Sequence, residues 1–211
     1  SLTPLGSAFT SDVFYTHGLS ALLQAVYTLL PFVVVYFLNK PEDKKLILDF
    51  DFPKSRQLYI LAVAAGLMFC LLGNKVTSLL SVLFTLFGVE FFAGNEGMEM
   101  PSTVPAIIVF VINYAVLPAL FEEFAFRNVL LQPLRKFGDW YAIVASSFCF
   151  AVLHGNMVQI PFSFIAGIAL GYFRVRTGSI WTSITIHFLN NLMSVIFSLY
   201  VDKNPEIATF A

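Results

Sequence analysis

The 211-residue sequence predicts an all-α fold, a polytopic transmembrane bundle of about six helices. Three observations carry that expectation: an apolar composition, a series of long apolar runs, and a one-sided placement of basic residues. Hydrophobic residues make up 58% of the chain and charged residues 12%, with 24 Phe; an ordinary soluble domain is roughly 45–50% apolar and about 25% charged. Mean hydropathy is +0.80. Such a chain cannot supply the polar surface of a soluble globule, and the composition excludes a disordered chain and a nucleic-acid binder. Net charge is -1, so no charge excess points to an acidic or basic partner.

A helix needs roughly 20 apolar residues to cross a bilayer. Six runs near that length are read at 18–38, 58–87, 104–126, 140–154, 160–173 and 180–201. The first holds Pro31. The second is interrupted by Gly73-Asn74-Lys75 and is read as one tilted span. The third holds Pro118 and runs without a clear stop into charged residues. In the fifth, Ser163, Gly167 and Gly171 recur every four residues, a spacing that lets helices approach closely. Residues 1–17 are neither basic nor followed by a cleavage motif, so no signal peptide is expected. No repeat or linker divides the chain, and residues 1–211 are read as one transmembrane domain, with 94–103 a loop. Cys70 and Cys149 both lie in apolar runs and are expected as buried, reduced thiols.

Lys40, Lys44, Lys45, Lys54 and Arg56 fall between runs one and two, Arg135 and Lys136 between three and four, and Arg174 and Arg176 between five and six. The alternate connections carry Glu90, Glu96 and Glu99 but no Lys or Arg, and only Lys203 breaks the pattern. Basic residues collect on cytosolic loops, so this alternation predicts three cytosolic loops and both termini external.

Against this background a few polar groups stand out, because an ionisable side chain costs roughly 2.5–3.5 kcal/mol at the centre of a spanning helix and marks a functional site by default. Glu122, Glu123 and Arg127 end run three, His154 ends run four, and His187, Asn190 and Asn191 lie in run six. Glu123 and Arg127 are four apart in the order that favours an ion pair. Glu122 points about 100° away on the same helix and is free to act as a general base or acid. Residues 122 and 154 are each sixteen from Gly138, so a helical hairpin turning there returns Glu122 and His154 to similar depth. His187 and Asn191 share a face and suit oxyanion binding. By helix rise, however, His187 lies nearer the cytosolic face than His154. The set supports hydrolysis by an activated water. Two His plus one Glu also match the ligand set of some catalytic zinc sites.

Glu122-Glu123-Phe-Ala-Phe-Arg127 is similar to the motif EExxxR, Phe150-Ala-Val-Leu-His154 to FxxxH, and His187-Phe-Leu-Asn190-Asn191 to HxxxN, in order, within a region of about 104–201. The chain thereby resembles the type II CAAX prenyl endopeptidase family, the CPBP or Abi intramembrane proteases, and is most like its compact prokaryotic members. The resemblance implies an intramembrane active site. Glu122 and His154 would orient and deprotonate the attacking water, His187 and Asn191 would form the oxyanion hole, and Glu123 and Arg127 would be a structural pair. No cofactor or metal is favoured, because Asn191 is a poor zinc ligand and a good oxyanion donor; were a divalent ion such as zinc bound, Glu122, His154 and His187 would hold it. The implied substrate is a membrane-associated peptide or protein within a prokaryotic plasma membrane. Two rival readings are a transporter or ion relay, disfavoured by the lack of internal hydropathy duplication, and a catalytically silent immunity or scaffold protein.

Overall fold

A computed structural model describes residues 23, 26, 28–88 and 100–204. Among them the regular structure is helical. In chain order the helices are α1 (Thr28–Leu38), α2 (Pro41–Ile47), α3 (Arg56–Leu86), α4 (Val104–Phe137), α5 (Asp139–Leu153), α6 (Gln159–Thr177) and α7 (Ile180–Lys203). Every apolar run with described residues is helical. Most of 18–27, the start of the first run, falls outside the described residues, as do residues 1–17 and most of the 94–103 loop.

Helices α3, α4 and α7 are long and apolar enough to cross a membrane. Their outer faces carry bare apolar side chains, such as Leu61 and Met68 on α3 and Phe197 on α7. In water so much contiguous apolar surface would drive association; facing lipid tails it costs nothing. The chain is thus a polytopic helical membrane protein. The Gly73-Asn74-Lys75 interruption does not break α3, which runs unbroken for 31 residues. Helix α5, at 15 residues, is about 22 Å long, short for a full crossing.

Helix α6 is the hub, packing against α5, α3 and α7. The small-residue spacing in its sequence explains how. A Cβ on Gly167 would lie 3.0 Å from the Ser147 Cβ and 3.2 Å from its Cα, so α5 and α6 meet backbone to backbone only because that atom is missing. A Cβ on Gly171 would instead meet side chains, Ile143 Cγ2 and Leu131 Cδ1, each at 3.3 Å.

The third run was expected to end near 126, but α4 continues to Phe137. Two widened, π-helical turns explain the continuation, at Ile112–Val116 and Phe124–Leu130. Each lies just before a proline, Pro118 and Pro133. A proline ring collides with the carbonyl four residues back, and widening the preceding turn lets the helix carry on. Gly138 then ends α4 at φ 114°, ψ 143°, a backbone geometry open to glycine, and α5 starts at once.

Of the two thiols, Cys70 is buried as expected, but Cys149 is exposed; both are free. Cys149 follows the exposed Phe148 on the outer side of α5, where a thiol meets lipid as readily as it would meet a core.

Between α2 and α3 the chain is tied to the bundle by its own carbonyls. The buried Asn128 amide donates to Ile47 O at 2.8 Å and Asp49 O at 3.3 Å. Trp181 Nε1 donates to Phe50 O, and the Ser179 hydroxyl to Asp51 O. Arg174 closes the tie, donating from Nε to Asn128 Oδ1 at 3.2 Å and lying 3.7 Å from the Asp49 carboxylate.

Candidate active site

A cavity of about 470 Å³ lies between α3, α4, α5, α6 and α7, and Glu122, His154, His187, Asn190 and Asn191 all line it. The polar residues singled out along three separate runs therefore converge. From α4 the lining residues are Phe110, Tyr114, Pro118 and Glu122, one every four positions. In a plain α-helix each such step drifts about 40° around the axis. The wide turn at Ile112–Val116 takes back part of that drift, so one face of α4 stays turned to the cavity down to Glu122.

The two adjacent glutamates differ as their spacing predicts. Glu123 is fully buried and its Oε2 lies 3.3 Å from Nε of the fully buried Arg127. None of the Arg127 nitrogens makes an aligned hydrogen bond. The guanidinium is held by charge and by the face of Phe150, 4.8 Å from its centroid. Glu122, 7% exposed, reaches the cavity instead.

His187 was expected to act with Asn191, and the structure adds a partner that spacing did not reveal. Its Nδ1 lies 3.0 Å from Glu123 Oε1. A carboxylate can only accept, so Nδ1 carries the hydrogen and Nε2 is turned toward Glu122, 3.9 Å from Oε2. Glu123 is thus not only the counter-ion of Arg127 but also the group that orients His187. His154 is fixed by the same logic. Its Nδ1 donates to Phe150 O at 2.9 Å, leaving Nε2 as an acceptor. Asn190 Nδ2 donates to Asn191 Oδ1 at 3.3 Å, which occupies the acceptor end of Asn191 and leaves its amide hydrogens to donate.

Phe150 is the common wall. Its ring packs edge-on against His154 at 4.9 Å and His187 at 5.8 Å and covers Arg127. Both histidines therefore belong to one site, and the depth mismatch inferred from helix rise disappears. Rise along separate helices measures depth only if their axes are parallel and their turns regular, and α4 is not regular.

Zinc ligands sit about 2.0–2.2 Å from the metal, so three donors must converge on one point. Among the described residues no three His, Cys, Asp or Glu side chains form such a group. As placed, Glu122, His154 and His187 do not fit a three-ligand zinc site, and no step below is routed through a metal.

The motif-bearing helices can now be set against known proteins. Residues 104–193 match the type II CAAX prenyl endopeptidase Rce1-like family. The Rce1-like segment begins with α4 and ends just past Asn191, so it takes in every residue of the site named so far. A Bacillus subtilis (strain 168) protein named "Putative membrane peptidase YdiL" is 24% identical over 148 residues, 70% of this chain. The chain spans 59% of that relative's length. No solved structure matches the chain significantly.

Proposed function

We propose that this chain is an intramembrane endopeptidase that hydrolyses a peptide bond in a membrane-associated peptide or protein, using water activated by Glu122 and His154. The observation that carries the reading is the convergence of Glu122, His154, His187 and Asn191 on one cavity, with both imidazoles held by Nδ1–H donation so that each offers Nε2. The Rce1-like match over 104–193 supports the same class of reaction.

The attacking water donates one hydrogen to Glu122 and the other to His154 Nε2. Glu122 takes its proton as the oxygen adds to the carbonyl carbon. The oxyanion accepts from the Asn191 amide and from His187 Nε2–H. That second bond needs a hydrogen on Nε2 as well as the one Nδ1 gives to Glu123. As the C–N bond breaks, the proton held by Glu122 passes to the leaving amine. Arg127 and Phe150 touch no reacting atom; they hold Glu123 and the two rings in place.

By the distribution of basic residues, helix α2 with Lys44 and Lys45, the Gly138 turn and the Gly178 turn face the cytosol. A transporter reading has no observation in its favour. Cleavage of an internally quenched apolar peptide by purified protein in detergent tests the proposal. Wild type should cleave and Glu122→Gln should not; equal cleavage by both, or by neither, overturns it.

A further inference from the structure

Resting on the protease reading, we propose that the cavity takes the substrate as an extended strand, its backbone amides bonded along a polar track formed by Gln159 and Ser163 on α6 and Asn190, Ser194 and Ser198 on α7. All five line the cavity. On α7, positions 187, 191, 194 and 198 recur every three or four residues and so lie on one face. From His187 to Ser198 that face rises about 16 Å, the length of about five residues of extended chain. Ser163 faces it from α6. It is 2% exposed and lines the cavity, and its hydroxyl makes no hydrogen bond to another described residue. That hydroxyl is left to bond whatever enters the cavity beside the catalytic groups.

A helical substrate would waste such a track, because its amides are already bonded to one another. A strand brings its N–H and C=O groups to both walls and leaves the scissile carbonyl open to attack. Its side chains alternate in direction, so every second one meets the apolar wall of Phe110, Tyr114 and Phe162. The substrate class is therefore an apolar segment that is extended, or readily unwound, around the cleaved bond.

The test measures binding of a fluorescent apolar decapeptide to the Glu122→Gln protein in detergent, alongside wild-type cleavage of the same peptide. Ser163→Ala and Ser198→Ala should each weaken binding about three- to tenfold and, in the otherwise wild-type protein, raise KM more than they lower kcat. Analogues with backbone esters in place of single amides near the cleaved bond should bind more weakly in a position-dependent way. If wild type cleaves while the serine variants and ester analogues bind at full strength, the track is overturned and the protease reading stands. If the Glu122→Gln protein does not bind the peptide and the wild type does not cleave it, both fall.

Discussion

Glu123 carries more of the site than its ion pair suggests. One carboxylate oxygen faces Arg127 and the other accepts from His187 Nδ1, so a single fully buried group balances a cation and sets a tautomer. Glu123→Gln should therefore do two things. It strands the buried Arg127 charge, at a cost of about 3–5 kcal/mol, visible as a large drop in thermal stability. It also frees His187 to rotate, so the fraction that remains folded should turn over slowly. A variant that melts with the wild type would contradict the pairing. Asn191→Ala removes one oxyanion donor, a loss of about 10²–10³ in rate, and should leave a slow but measurable enzyme with normal stability. The pairing of Glu123 with Arg127 was legible in the sequence because both lie on one helix at a fixed spacing. The contact between Glu123 and His187 spans 64 positions and was not, since no local rule fixes which faces of two distant helices meet. Phe150 was visible as a motif residue, but its place between Arg127 and both histidines was not.

At the scale of elements, the helices were readable and their irregularities were not. Apolar length marks a helix in lipid, and the alternation of basic loops is why α3 could be read as one span across Gly73-Asn74-Lys75. Pro118 and Pro133 signalled trouble in α4, but a proline can kink, end or widen a helix, and sequence alone does not choose. Here it widens, and the turn at Phe124–Leu130 carries Arg127 toward Glu123 and Asn128 toward the 47–51 segment. That segment is tied to α4 by the two bonds from Asn128 to backbone carbonyls. Asn128→Ala should cost about 1–3 kcal/mol, because the Ile47 carbonyl and the Arg174 guanidinium both lose a buried partner. Limited proteolysis should then cut near residue 50 faster than in the wild type; unchanged resistance would mean that the tie holds without Asn128.

For the whole molecule, the charge pattern and the packing agree about which ends lie together. Asp49 meets Arg174, and Ser179 meets Asp51, so connections rich in basic residues gather at one end of the bundle. Thiol labelling in intact cells tests the orientation. Lys45→Cys should react only once reagent reaches the cytosol, and Lys203→Cys should react from outside; the reverse pattern would invert the topology. The central claim, that Glu122 activates a water for peptide hydrolysis without a metal, meets its most direct test in isotope-labelled water. Chelator-treated wild type and Glu122→Gln would each be incubated with an apolar peptide in H₂¹⁸O, and the products weighed by mass spectrometry. The account predicts one ¹⁸O in the new carboxylate from the wild type and no product from a folded Glu122→Gln. Cleavage by the variant at the wild-type rate, or wild-type cleavage that is lost with the metal and restored by one zinc per chain, would contradict it.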